Sequence, residues 1–186
     1  MTDVFADLAA GNERYVRAHR RLLSGVPARG LAVVTCMDAR IDPLRVLHLK
    51  VGDAVVLRVA GAQIDTRVLR DLSIARAALH VERVLVLAHT DCAANKLTSE
   101  ELRTACEGGE VRLTGRGERS PEEALNRDLD ALLRAPALRA VPVAGAVYDV
   151  VTGRLRITRR HGQEHAAAAV PAVRAAPVGG LATWRR

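Results

Sequence analysis

The chain has 186 residues, 49% of them hydrophobic and 26% charged, with a formal charge of +7. That length fits one domain, and the apolar share is enough to bury a core. No apolar run approaches the roughly 18 to 20 residues of a spanning helix, and the polar opening MTDVFADLAAGNERYVRAH has no basic-then-apolar start, so neither a membrane span nor a secretory signal is expected.

Three cysteines without a signal do not make a disulfide framework. They read as metal ligands, reactive thiols or small core residues in a reducing, cytoplasmic setting. The positive charge invites a polyanion, but its placement argues otherwise. Arg159, Arg160, Arg174, Arg185 and Arg186 against Glu164 give residues 159–186 a charge of +4, which leaves +3 for residues 1–158. Base-stacking aromatics are scarce, at 2% of the chain, and no nucleic-acid motif is present, so no nucleic-acid partner is expected.

In chain order, Val4, Phe5, Leu8, Ala9 and Tyr15 recur at loosely helical spacing and predict a helix over residues 2–18, across Gly11-Asn12. Gly25, Pro27 and Gly30 then break the chain before LAVVT (31–35), a strand that ends at Cys36. Pro43 opens a short helix through LRVLHL, stopped by Gly52-Asp53. DAVVLRVA (53–60) reads as the second strand. Asp65 or Thr66 then caps a helix with Val68, Leu69, Leu72, Ile74, Ala75, Ala78 and Leu79 on its apolar side.

RVLVLA (83–88) is the third strand, and Thr98-Ser99-Glu100-Glu101 opens a further helix with a capping-box pattern. Residues 107–119 read as an exposed loop. Ser120-Pro121-Glu122-Glu123 starts a helix to about Leu133, VAGAVYDV (143–150) is a strand, and Thr152-Gly153 predicts a tight turn into RLRITR. Residues 1–158 thus form one domain, and residues 159–186 an Ala-, Pro- and Arg-rich tail. Strands alternating with helices predict an α/β fold, a mainly parallel central sheet flanked by helices on both faces.

Two of these strands end in metal-ligand residue types: Cys36-Met37-Asp38-Ala39-Arg40 and His89-Thr90-Asp91-Cys92. In a parallel sheet the carboxyl ends of the strands line one edge, so residues just past two neighbouring strands converge. Cys36, His89 and Cys92 then make a set of two thiolates and one imidazole, which suits zinc and leaves the fourth tetrahedral position open. Such a site is neutral overall and acidifies water less than zinc on three imidazoles does.

Asp38 supplies a carboxylate that can orient a metal-bound hydroxide, and Arg40 a guanidinium that can hold it off the metal through a bidentate pair. If the pair breaks, Asp38 can itself become the fourth ligand, which gives a closed state. Singly, each half of the pattern is weak; together, at one sheet edge, they are specific. A cysteine-phosphatase reading fails because Asp42, not an arginine, lies six residues after Cys36.

At these residues the sequence resembles the β-class carbonic anhydrases, in particular their short bacterial and archaeal branch, whose zinc motifs are C-x-D-x-R and, about fifty residues later, H-x-x-C. The resemblance runs from about Leu31 to Val151. It implies the family's sheet-centred fold, Zn²⁺ on Cys36, His89 and Cys92, and Asp38 with Arg40 as the catalytic dyad. The implied reaction is reversible hydration of CO₂ to bicarbonate by zinc-bound hydroxide. A homodimer or higher homo-oligomer is implied too, with the N-terminal helix packed on the partner subunit.

The chain departs from the family wording after the second strand, where R-N-A-G-G becomes Arg58-Val59-Ala60-Gly61-Ala62, and after the second zinc cysteine, where Ala93 replaces Gly. An alanine adopts positive φ less readily than glycine and narrows the approach to the backbone. Two alternatives therefore stand beside CO₂ hydration: hydrolysis of carbonyl sulfide on the same fold, and a non-catalytic zinc-binding structural or regulatory protein with Asp38 as permanent fourth ligand. His161 and His165 have helical metal spacing but no third ligand. Gln63 and Asn95 flank the predicted cleft outside the catalytic set, and Asp91, between His89 and Cys92, reads equally as a residue that orients a ligand or as a capping or solvent-exposed group. Cys106 reads as an ordinary thiol.

Overall fold

Five strands form one sheet in the order β2-β1-β3-β4-β5 in the computed structural model, which describes residues 5–19, 23–105 and 120–162. They are β1 (Leu31–Cys36), β2 (Ala54–Val59), β3 (Arg83–His89), β4 (Val143–Tyr148) and β5 (Leu155–His161). The first four pair in parallel and β5 is antiparallel to β4, so the fold is the expected mainly parallel α/β sheet. Thr35 of β1 stands beside Leu87 of β3, which carries Cys36 and His89 to the same edge.

The helices are α1 (Ala6–Ala18), α2 (Pro43–Val46), α3 (Thr66–Leu79), α4 (Ala93–Lys96), α5 (Ser99–Ala105) and α6 (Pro121–Arg134). Their starts follow the sequence signals. The Asp65 carboxylate accepts from the N–H groups of Arg67 and Val68 at the head of α3. Ser120 and Glu123 close a reciprocal capping box on α6, and Thr98 and Glu101 exchange the same bonds at α5. The α1 helix runs unbroken through Gly11-Asn12.

Alternation along the strands sends Ala32 and Val34, Val84 and Val86, and Val143 and Val147 into the main core, where Val68, Leu72 and Ala75 of α3 and Leu125, Leu129 and Leu132 of α6 meet them. Gly145 of β4 lets α6 come this close. A Cβ there would stand 2.6 Å from Leu129 Cδ1 and 3.1 Å from Leu125 Cδ2. The opposite face is thinner: Val33, Leu87 and Ala146 are buried, and among the described residues the helix contribution packed on them is Val46 of α2 and its cap residue Leu47. Among the described residues helices cover the two faces unequally.

Three local expectations are corrected. Ile74 is 54% exposed because the buried stripe of α3 runs through 68, 72 and 75, and Ala78 is exposed with it. The β4–β5 connection is a six-residue loop, Asp149 to Arg154, instead of a tight turn at Thr152-Gly153. The Asp149 carboxylate organises that loop by accepting from the N–H groups of Val151 and Thr152. Finally, β5 continues to His161, so Arg159, Arg160 and His161 belong to the sheet and not to a tail. Arg159 pairs with Asp130 of α6 at 2.6 Å, which uses one of the charges counted as terminal. Residues 107–119 and the remainder of the tail, with Cys106 and His165, lie outside the described residues.

Candidate metal centre

Cys36 is the last residue of β1 and His89 the last of β3. Cys92 follows as the residue that precedes the first turn of α4, a four-residue helix without a counterpart in the sequence reading. All three side chains are buried, and each offers one ligand atom within 4.8 Å of the others. The two sulfurs stand 3.8 Å apart. Among the described residues this is the only group of three or more His, Cys, Asp or Glu side chains placed to share a cation.

The donor chemistry fits a zinc ion. His89 Nδ1 lies 2.9 Å from the Thr90 carbonyl oxygen, which can only accept, so Nδ1 carries the proton and Nε2 keeps its lone pair. Nε2 is buried without a hydrogen-bond partner. A buried, unpartnered imidazole nitrogen next to two thiols is costly unless a cation takes the lone pair. Cys36 is poised as a thiolate: a hydrogen bond from Cys92 lowers its pKa against the opposing effect of burial, with the N–H groups of Asp38 and Gly61 adding to it. The Gly61 N–H lies 3.3 Å from Cys36 Sγ. The same sharing raises the Cys92 thiol, since one proton serves both sulfurs.

Asp38 and Arg40 form the expected fork. Arg40 Nε and Nη2 donate to Asp38 Oδ1 and Oδ2 at 3.0 and 2.7 Å, and the Arg40 backbone N–H donates to Oδ1 at 2.9 Å. The pair holds the Asp38 carboxyl well below the ordinary carboxylate range, and the Arg40 guanidinium is raised in turn. Both oxygens of Asp38 therefore face Arg40. Arg58 fixes the backbone beneath them, donating from Nε to the Cys36 carbonyl at 3.2 Å and from Nη2 to the Asp38 carbonyl at 2.6 Å.

Asp91 does not orient His89, whose Nδ1 is taken by the Thr90 carbonyl. Its carboxylate instead accepts from Arg40 Nη1 at 3.0 Å and from Lys96 Nζ, and its carbonyl accepts from Arg40 Nη2 at 3.0 Å. Sequence reading missed this link between the two motifs; the surplus donors of Arg40, more than one carboxylate can accept, were the available signal. Asn95 is buried in α4, and Gln63 is half-buried after the 3₁₀ turn of residues 60–62.

The departures from the family wording differ in weight. Ala62 holds φ 56, so its methyl sits where glycine is preferred, whereas Ala93 opens α4 and is exposed. Val59 is half-buried and packs against the main core.

A parallel sheet that gathers a Cys-His-Cys donor set at its carboxyl edge, beside a forked Asp-Arg pair, defines an α/β protein with a three-donor cluster that can hold a metal ion. Comparison with known proteins makes the class specific. The carbonic anhydrase family profile matches residues 31–113. The chain is 32% identical over 153 residues to β-carbonic anhydrase 1 of Mycobacterium tuberculosis, covering 80% of this chain and 94% of the relative. The carbonic anhydrase structure from Streptococcus mutans superposes with a TM-score of 0.78 at 31% identity, over 86% of this chain and 99% of that one. A carbon disulfide hydrolase of Acidianus is 27% identical over 165 residues, covering 73% of this chain and 81% of the relative. The chain belongs to the β-carbonic anhydrase family.

Proposed function

We propose that the protein catalyses the reversible hydration of CO₂ to bicarbonate, with Zn²⁺ held by Cys36, His89 and Cys92. The observation that carries this reading is the convergence of three buried donors within 4.8 Å, next to a carboxylate already forked to Arg40. Zinc held there supplies Lewis acidity and a nucleophile derived from water at neutral pH. The chain's own residues do the rest. The Thr90 carbonyl fixes the tautomer of His89, the Gly61 N–H steadies the Cys36 sulfur, and Asp38 offers a fixed acceptor that orients the proton of the attacking group. Arg40 keeps that acceptor ionised and fixed in place.

The fork supports this reading over a purely structural role for the metal, because it engages both Asp38 carboxylate oxygens with Arg40. Zinc analysis and a stopped-flow CO₂ hydration assay test it together. One zinc per chain and a rate well above buffer are expected, with Asp38→Ala losing about 10- to 100-fold at unchanged zinc content. Zinc-loaded wild-type protein no faster than buffer overturns it. The likeness to the Acidianus carbon disulfide hydrolase supports a second reading, hydrolysis of a linear sulfur analogue such as carbonyl sulfide. Sulfide release measured on the same sample separates the two.

We place the protein in the cytoplasm as a homodimer or larger homo-oligomer. Phe5, Leu8, Tyr15 and Val16 of the α1 segment are all more than half exposed, and the thin face of the sheet carries little helix, which together supply surface for a second copy. No helix among the described residues is long and apolar enough to cross a membrane.

A further inference from the structure

We propose that Asp91 is a positioning residue for the proposed reaction: it locks the guanidinium of Arg40, and through it the Asp38 carboxylate, against the second ligand-bearing segment. The inference rests on the reading of Asp38 as the acceptor, but its geometry stands independently.

A fork between Asp38 and Arg40 fixes the two groups relative to each other and leaves the pair free to swing together. Both lie in residues 37–42 after β1; Ile41 of that segment packs with Cys36 and Cys92, but the bonds between Asp38 and Arg40 do not themselves reach the His89–Cys92 segment. Asp91 makes the tie. Arg40 Nη1 and Nη2 each reach it at 3.0 Å, one at the carboxylate and one at the carbonyl, so all three guanidinium nitrogens are engaged across two chain segments. Arg58 holds the backbone of residues 36 and 38 from below, which leaves the Arg40 side chain as the movable part.

The second carboxylate would compete with Asp38 for Arg40 if its charge were uncompensated. Lys96, one turn into the following segment, pairs with Asp91 Oδ1 while Arg40 takes Oδ2. The four side chains thus alternate in sign, Asp38, Arg40, Asp91, Lys96, with no net charge, and each carboxylate has a cation of its own. The backbone at Asp91 is left-handed, φ 55, a conformation that glycine adopts freely and aspartate tolerates. A turn alone would be served better by glycine. What aspartate adds at this position is the carboxylate.

The test uses full-length protein with Asp91→Gly, which suits the left-handed turn and keeps the carbonyl acceptor, and Asp91→Asn, which keeps one side-chain acceptor without the charge. The first readout is hydrogen exchange at the Arg40 Nη1–H, the donor to the Asp91 carboxylate, by ¹H–¹⁵N NMR, assigned by its loss in Arg40→Lys and followed with and without zinc. A protected signal is expected in the wild type, fast exchange in Asp91→Gly and intermediate exchange in Asp91→Asn. The second is CO₂ hydration, where kcat/KM should fall roughly three- to tenfold in Asp91→Gly at unchanged zinc content and Tm, the scale of a partly exposed ion pair. Wild-type exchange and wild-type kcat/KM in Asp91→Gly overturn the proposal and reduce Asp91 to a turn residue. If the wild type itself does not hydrate CO₂, the functional reading fails while the exchange measurement still decides for or against the anchor.

Discussion

Cys36 Sγ and Cys92 Sγ lie 3.8 Å apart, both buried, although 56 residues separate them in the chain. Two sulfurs at that spacing, beside a buried and unpartnered His89 Nε2, form a site whose stability is tied to occupancy. A ligand that binds only the folded state stabilises it by RT ln(1 + [L]/Kd), about 4 kcal/mol at a thousandfold excess over Kd. Chelation should therefore lower Tm by several degrees, and zinc should restore it. Cys36→Ser should bind zinc at least tenfold more weakly, and its Tm should no longer respond to the metal. A Cys36→Ser Tm that still rises on zinc addition would count against the donor set.

Gly145 sets the distance between α6 and β4. Its missing side chain is filled by Leu129 and Leu125, both nearly inaccessible, and an added Cβ at 2.6 Å from Leu129 Cδ1 has no space unless the helix or the leucine moves. Overpacking of this kind costs about 1–3 kcal/mol. Urea unfolding of Gly145→Ala should show a lower midpoint by that order, with an unchanged m-value, and Gly145→Ala combined with Leu129→Ala should lose less stability than the sum of the two single losses. A midpoint equal to that of the wild type would mean that α6 slides at no cost.

Ala62 combines two opposing effects. Its φ of 56 costs about 1–2 kcal/mol for a residue with a Cβ, while the buried methyl contributes about 0.8 kcal/mol and glycine would add its own backbone entropy cost. The terms nearly cancel, so Ala62→Gly should leave stability within about 1 kcal/mol of the wild type. Ala62→Val meets the same φ with a branched side chain in a site only 1% exposed, and should destabilise by at least about 2 kcal/mol. Equal stability of the valine and glycine variants in thermal unfolding would rule out the strain at this turn. The departure from glycine is thus tolerable for the fold, even though Gly61 beside it donates to the Cys36 sulfur.

The parts of the molecule that were legible in the sequence are those governed by short-range rules. Strand identities followed from apolar runs, helix starts from Asp65, Thr98 and Ser120, and the donor set from two spacings at two strand ends. The parts that were not legible depend on what lies across space. Ile74 counted as apolar on α3, yet the sheet and α6 bury the stripe of Val68, Leu72 and Ala75 and leave position 74 outside. The extent of β5 depends on β4, which pairs as far as His161 and so reclaims residues that composition assigned to a tail. Asp91 has no local reason to stand out between His89 and Cys92. Its role appears only when β1 and β3 bring Arg40 to it.

Acid sensitivity follows from the depressed carboxyl groups. Asp149 lies below its ordinary value of 3.8 because the N–H groups of Thr152 and Val151 donate to it, and Glu101 lies below 4.5 through the Thr98 N–H and hydroxyl. Asp91 is depressed by Lys96 and Arg40. A group whose folded pKa is below its unfolded one binds fewer protons when folded, so it stabilises above the unfolded pKa, and that contribution disappears as pH falls through the folded value. The window opens near pH 4 to 5 and extends downward. Urea midpoints measured from pH 7 to pH 3 should hold until that window and then fall. Asp149→Asn, which retains a side-chain acceptor but cannot ionise, should be less stable than the wild type at pH 7 and should lose less of its stability on acidification. A parallel decline in the two proteins would show that the Asp149 loop carries none of the pH dependence and would leave it to Asp91, Glu101 and Asp38.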